Sequence, residues 1–95
     1  MDITPQVLDE FKQRMHITHG AEDENLKRLL SFSVLDLQEK IGMMDIEKDE
    51  RAKELVFERT RYAYNDALEY FNDNYLSQIL SLSISQLEGD TDEEV

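Results

Sequence analysis

The fold class of this chain is decided by one stretch, LKRLLSFSVLDLQEKI at residues 26–41. Apolar residues recur in it every three or four positions, which places them on one face of an α-helix. They are Leu26, Leu29, Leu30, Val34, Leu37 and Ile41. Three acidic residues at 22–24 precede the stretch, as is common in the first turn of a helix, and Gly42 follows as a natural stop. We therefore predict a helix over residues 22–41.

The composition favours the same class of structure for the whole chain. Its 95 residues suffice for one domain, and they include only three glycines and one proline. An all-β domain would need a turn signal about every 8–12 residues, and none is visible. We predict an all-α fold: a small four-helix domain over residues 1–89, with one long helix and a mobile C-terminal helix. An acidic disordered tail is predicted at 90–95.

Local signals place the other predicted helices. Thr4-Pro5 is a good helix start. Thr can cap free backbone N–H groups, and the N–H that Pro lacks would have no partner in the first turn of a helix. The first helix is predicted over residues 5–15, a loop over 43–48, and the long helix over 49–72. At about 1.5 Å per residue the long helix would measure about 35 Å, and a break follows at 72–74. The residues predicted to be buried are Leu26, Leu30, Val34, Leu37, Leu55, Val56 and Ala63.

Residues 75–87 carry two competing patterns. A helical period runs through Leu76, Ile79, Leu80, Ile84 and Leu87, whereas residues 81–85 (SLSIS) alternate like a strand. We favour the helix because its period covers the whole segment. The serine-rich composition has weak helix propensity, so we expect this helix to be loosely attached to the rest of the domain.

The charge of the chain is large and unevenly distributed. The net charge is −12, all ten basic side chains lie in residues 1–61, and residues 62–95 contain eight acids and no base. Nucleic-acid binding requires Lys and Arg against phosphates, so this composition disfavours it. Three interpretations stay open: simple solubility, a basic partner, or a surface along which DNA passes without binding.

The sequence indicates no catalytic residue, cofactor site or metal site. There is no cysteine, no glycine-rich phosphate loop and no nucleophile motif. His16 and His19 are three residues apart without further ligands nearby, and a pair of surface histidines is the better interpretation. Glu50, Glu54 and Glu58 line one predicted helix face, as in all-α metal-dependent nucleotide hydrolases. Interleaved Lys and Arg make surface ion pairs the better interpretation. No apolar run reaches the ~18 residues of a membrane helix, so we expect neither a membrane span nor a membrane partner.

Aromatic residues cluster in the segment RYAYNDALEYF at 61–71 and just after it. Five of them fall within 62–75, more than a small core easily buries, and tyrosine is favoured where a partner covers a surface. The loop at 43–48 is also unusually apolar. Our hypothetical interface consists of Met43, Met44, Ile46, Tyr62, Tyr64, Tyr70, Tyr75, Ile79, Leu82 and Ile84.

The same segment carries a family resemblance. Together with residues 74–76 (NYL) and 79–82 (ILSL), the motif at 61–71 resembles the final half of tailed-phage head–tail connector proteins. These head-completion adaptors are also called the QLRG family of DNA-packaging proteins. The earlier half is similar at residues 11–17 and 23–30, and the resemblance covers about residues 5–87. QLEG at 86–89 stands where the family name has QLRG, so Glu88 replaces the basic residue.

The resemblance implies a function in the virion. Such proteins are four-helix adaptors without catalytic residues, and they assemble into a ring beneath the portal protein. The ring closes the filled head and offers a docking surface to the next connector or tail-completion protein, while DNA passes its channel without specific binding. The expected location is the head–tail junction, after synthesis in the host bacterial cytoplasm. The alternative from another class is an acidic DNA mimic or inhibitory helical binding protein.

Overall fold

The computed structural model describes residues 3–94, and side chains within residues 3–86. In this part of the chain the elements are four α-helices and one 3-10 turn, with no strand. The helices are α1 (Pro5–Met15), α2 (Asp23–Ile41), α3 (Glu50–Tyr64) and α4 (Phe71–Glu94), and the turn, Leu68–Tyr70, joins α3 to α4. The predicted all-α, four-helix class is confirmed, and residues 75–87 are helical and not a strand.

The ends of α1 follow from local chemistry. The Thr4 hydroxyl accepts a hydrogen bond from the Val7 backbone N–H at 3.2 Å, and Pro5 occupies the first helical position. His16 ends the helix in the left-handed conformation with φ 59°, and its N–H bonds back to the last turn. These local signals are legible in sequence, and the predicted bounds of α1 are confirmed. For α2 the prediction differs by one residue at the start.

The predicted end of the third helix is wrong. α3 does not continue to residue 72 but ends at Tyr64, and Asp66 takes the left-handed conformation with φ 59°. Asp tolerates this conformation because its short polar side chain bonds locally, so Asn65-Asp66 is an effective helix stop. The helical spacing of apolar residues in the sequence continues past this stop, because α4 begins at Phe71 and the Phe71 side chain is buried in the core. The long helix is therefore α4, with 24 residues, and not α3 with 15.

The predicted break at residues 72–74 is also absent. The chain is already helical there, and a kink lies at Tyr75, whose backbone is non-helical (φ −119°, ψ 15°). The side chains of the tail predicted at 90–95 lie outside the described part of the structure. The backbone of α4 runs on to Glu94, and the dispensability of the tail stays a prediction.

The core forms where α2, α3 and α4 meet, with α1 covering one end. α1 contributes Val7, Leu8 and Phe11, and the Phe11 ring meets Phe57 of α3 edge-on at 5.5 Å. Of the seven residues predicted to be buried, all are buried except Ala63, which is only partly covered because α3 ends one residue later. α4 adds Phe71, Ile79 and Leu82 to the core.

A polar cluster is buried between α2 and α3. The Thr60 hydroxyl donates to the Val56 carbonyl oxygen at 2.7 Å and lies 2.9 Å from the Ser33 hydroxyl. Arg59 donates to Ser33 at 3.1 Å and pairs with Asp36 at 3.1 Å. Arg59 is a charged residue on the side of α3 that faces α2, and this cluster explains its place: the guanidinium lies at the edge of the helix interface with partners for its charge.

Candidate interaction surface

The clearest functional feature of the surface is the outer face of α4. Ile79 and Leu82 are buried against α2 and α3, whereas Leu76, Leu80 and Ile84 are each more than half exposed. These three residues recur at intervals of four, so they form one row on the side of the helix that faces away from the core. We call Leu76, Leu80 and Ile84 the α4 stripe. Nothing in the described part of the chain covers it.

The hypothetical interface residues divide into three groups in the structure. Met43, Tyr70 and Ile84 are exposed, with Met43 87% exposed. Met44, Tyr62, Tyr64 and Tyr75 are partly buried and pack against the core. Ile46, Ile79 and Leu82 are buried, so they belong to the core of the protomer and offer no surface to a partner. For these three the sequence-based assignment is corrected, because apolar spacing does not show which face of a helix or loop is covered. Leu76 and Leu80 were not in the hypothetical interface.

The aromatic cluster is largely an internal structure. The Tyr62 ring meets Phe71 and Tyr75 edge-on at 5.7 and 5.8 Å, and Phe71 stacks on Tyr75 at 5.0 Å. The hydroxyls of Tyr64 and Tyr75 donate to Glu22 and Glu58, both at 2.8 Å. The ring contacts and the Tyr75–Glu58 bond join α3 to the start of α4, whereas the Tyr64–Glu22 bond joins the end of α3 to the start of α2. Only Tyr70 in the cluster presents most of its ring to solvent.

The charges around Tyr75 shift its pKa and that of its partner. Arg61 donates two hydrogen bonds to Glu58, at 2.8 and 3.1 Å, and these lower the Glu58 pKa despite the opposing effect of burial. Burial raises the Tyr75 pKa, and its hydrogen bond to the Glu58 carboxylate raises it further. The arrangement holds Glu58 ionised and Tyr75 protonated, which is the state in which their hydrogen bond is strongest.

A groove of about 710 Å³ runs between α3 and α4, with Glu50, Glu54, Glu58, Ser77 and Ser81 among its lining residues. These are the carboxylates that a metal-dependent hydrolase would require. Each has a basic neighbour in the structure: Glu54 pairs with Arg14 at 2.6 Å and Glu58 with Arg61 at 2.8 Å. Glu50 has a longer contact, 3.8 Å to the ammonium group of Lys53.

Glu54 and Glu58 are therefore engaged in ion pairs along this groove. A metal site and a DNA mimic need carboxylates that are free to bind cations or to stand in for phosphates. Within the described residues no group of three or more candidate metal ligands is present. His19 lies 3.9 Å from Glu22 and His16 serves as the stop of α1, so the two histidines do not converge.

The loop after α2 and the end of α4 share one end of the molecule. Met43, Met44 and Gln86 line one groove, and Leu80 and Ile84 line the next, with Arg51 common to both. Arg51 donates to the Ser85 hydroxyl at 3.2 Å, which holds the guanidinium beside the α4 stripe. The exposed apolar surface therefore has a basic residue at its edge, although residues 62–95, which include α4, contain none.

Comparison with known proteins adds no relative: no family model, no characterised protein and no solved structure matches the chain. In the part of the chain that the structure describes, no helix has the length and apolar character of a membrane span. The fold and the surface thus define a small all-α domain with an uncovered apolar helix face.

Proposed function

We propose that this chain is a non-catalytic structural subunit of a tailed-phage head–tail connector. In this proposal, copies of the chain assemble into a ring that docks beneath the portal protein, at the junction of head and tail, and receives the next connector or tail-completion protein. The observation that carries the proposal is the α4 stripe, a row of apolar side chains with no partner within the described residues.

The stripe supports a function in protein binding on energetic grounds. Apolar surface in water is unfavourable by about 25 cal/mol per Å², and a contiguous exposed patch on a soluble protein commonly marks a binding site. A helix with anchors at intervals of four residues matches the way amphipathic helices occupy grooves on partner proteins. Ile79 and Leu82 on the other face hold this helix to its own domain, so the stripe is presented on a supported element.

Two features favour the connector class over other binding proteins. The motif at 61–71 and the segments after it resemble these adaptors, and in the structure this region forms the α3–α4 junction and α4. The absence of basic residues from 62–95 suits a subunit beside a DNA channel, because an attractive wall would hold the DNA back.

The experiment measures assembly with the portal protein encoded in the same genome. Size-exclusion chromatography with light scattering gives the mass of the chain alone, of the portal alone and of the mixture. We expect a complex that contains several copies of the chain for each portal ring. Ile84→Asp should abolish the complex and leave the circular dichroism spectrum unchanged.

The matched control is Gln78→Asp, which adds the same charge to α4 on the exposed groove side, away from the stripe. We expect this variant to bind like the wild type. The proposal would be contradicted if the wild-type chain did not join the portal, or if Ile84→Asp and Gln78→Asp bound equally well.

A further inference from the structure

A second exposed apolar patch lies on a different helix. Phe32 and Leu35 on the outer face of α2 are 55% and 51% exposed, and we call them the α2 patch. Exposed charges stand at its two ends: Arg28 one turn before Phe32, and Glu39 one turn after Leu35. Within the described residues neither Arg28 nor Glu39 makes an ion pair, so the patch and its charges are uncovered as the α4 stripe is.

We propose that the α2 patch of one copy binds the α4 stripe of the next copy; this inference rests on the proposed function and names the contact between ring subunits. The two surfaces do not cover each other within one protomer, since all five apolar side chains are about half exposed. They lie on different helices, so their pairing is a head-to-tail contact. Such contacts repeat from copy to copy and form a ring when the rotation closes.

The α2 patch with its flanking charges is slightly longer than the α4 stripe. Arg28 and Glu39 are 11 residues apart, about 16 Å along α2 at about 1.5 Å per residue. On α4, Leu76 and Ile84 at the two ends of the stripe are eight residues apart, about 12 Å, and Asp73 precedes them just before the kink at Tyr75. A helix pair that runs in the same direction therefore lays the α2 patch on the stripe, with Arg28 toward the Asp73 end.

The charges at the ends of the two rows are complementary in that orientation. Arg28 comes next to Asp73 of the other copy, which is exposed and makes no ion pair in the described part of the chain. At the other end Glu39 comes next to Arg51, which the Ser85 hydroxyl holds beside the stripe and which lies 3.9 Å from Asp49 of its own copy. Opposite charges thus meet at both ends, whereas the reversed orientation would bring Arg28 next to Arg51.

The contact is small, which predicts how assembly behaves. A standard stable interface buries about 800 Å² on each partner, more than a few half-exposed side chains supply. A single contact between two copies should therefore be weak. Ring closure, or attachment of several copies to one portal, gathers many such contacts and stabilises the assembly by raising the effective concentration.

A cross-linking experiment tests the pairing directly, because the natural chain contains no cysteine. Phe32→Cys and Leu80→Cys are made separately, mixed, and treated with a thiol cross-linker of about 8 Å, which suits packed helices 8–10 Å apart. We expect dimers in the mixture and few in either variant alone. The same reaction is run on portal-bound chains.

The matched control replaces Phe32→Cys with Gln13→Cys, an exposed position on α1 away from both surfaces. If the control cross-links to Leu80→Cys as well as Phe32→Cys does, the pairing is overturned. If Leu80→Cys alone cross-links as well as the mixture, the stripe meets a second stripe and the head-to-tail contact is likewise overturned.

Charge reversal gives an independent measurement. Arg28→Asp and Asp73→Arg should each weaken self-association by about tenfold, whereas the chain with both changes should regain most of it. Gln13→Asp, on the exposed side of α1, is the control. A doubly reversed chain no better than the single variants overturns the proposal. If these variants still bind the portal like the wild type, only the subunit contact is wrong; if the wild type neither self-associates nor binds the portal, the proposed function fails too.

Discussion

Ile79 and Ile84 lie five residues apart on α4 and face nearly opposite sides of it. Ile79 is 5% exposed and packs in the core, whereas Ile84 is 54% exposed on the α4 stripe. At about 100° per residue, five residues turn the helix by about 140° beyond a full revolution. Two identical side chains on one helix thus separate the two roles of α4, attachment to its own domain and presentation of a surface.

Ile79→Asp and Ile84→Asp are therefore expected to behave differently. The sequence analysis placed both residues in the hypothetical interface, where either substitution would spare the fold, and the burial of Ile79 corrects that expectation. Ile79→Asp should destabilise the protomer by about 3–5 kcal/mol, because it leaves a cavity and buries a carboxylate. Ile84→Asp should change the free energy of unfolding by less than about 0.5 kcal/mol. Urea denaturation of both variants measures the difference, and equal loss in both would contradict the assignment of the two faces.

Leu30 lies at the centre of the core, fully buried on α2. Leu30→Ala should cost about 2–5 kcal/mol through lost burial and the cavity it leaves, a large fraction of the stability of a small domain. Thermal and urea unfolding measure the loss. Leu35→Ala on the exposed side of the same helix is the control, and a similar loss in both variants would show that the core is misplaced.

Thr60 and Ser33 should be coupled through their hydroxyls. Thr60→Val removes the donor to the Val56 carbonyl oxygen and leaves the buried Ser33 hydroxyl without one neighbour, which should cost about 1–3 kcal/mol. Ser33→Ala also removes an acceptor of Arg59, so it should cost stability by itself, but less in the Thr60→Val chain, where Ser33 has already lost one partner. A double-mutant cycle on unfolding free energies measures the coupling. Strictly additive losses would mean that the two hydroxyls act independently.

Glu58 should make stability depend on pH in acid. Its pKa in the folded chain lies below the ordinary value of 4.5, first because of the hydrogen bonds from Arg61. A depressed folded pKa contributes stability that is complete above the unfolded pKa and is lost as pH falls through the folded pKa. Glu58→Gln should therefore lower the melting temperature at pH 7, and its gap to the wild type should narrow below about pH 4.5. Melting curves from pH 7 to pH 3 test this, with Glu47→Gln on the exposed loop as control; a gap that stays constant would refute it.

The acidic tail should be dispensable for folding. Residues 90–95 carry four acids and no aromatic residue, so they have little to bury. A chain ending at Gly89 is expected to keep its melting temperature within about 2 °C, which corresponds to less than about 0.5 kcal/mol in a domain of this size. Calorimetry of the two chains provides the measurement, and a fall of many degrees would indicate that the tail packs on the domain.

Element boundaries were predictable where a single residue type determines them. Thr4-Pro5 starts α1 and Gly42 follows α2, and the predicted bounds agree with the structure to within one residue. The end of α3 was missed although Asn65-Asp66 is a readable stop signal. The apolar spacing ran through it and outweighed two polar residues that tolerate left-handed geometry.

The candidate surface was only partly predictable. Ile84 and Met43 were expected at an interface and are exposed, whereas Ile46, Ile79 and Leu82 were expected there and are buried. The tyrosines looked surplus to a small core, but in the structure Tyr62 and Tyr75 pack around Phe71, and the hydroxyl of Tyr75 is bound by Glu58. The number of aromatic residues in the sequence suggested an interface with a partner, but it did not show that these residues form the junction between α3 and α4.

The sequence by itself determined the helical class, the ends of the first two helices and the absence of basic residues from 62–95, because these depend on neighbours within a few residues or on composition alone. Only the tertiary structure decided which face of α4 is covered and that Arg59 joins a buried polar cluster. A period of 3.6 residues identifies a helix with apolar rows, but rows on two sides are equivalent until another helix packs on one of them. The return of the chain at Asp66 makes that choice, since it brings Ile79 onto α2 and α3 and leaves Ile84 facing solvent.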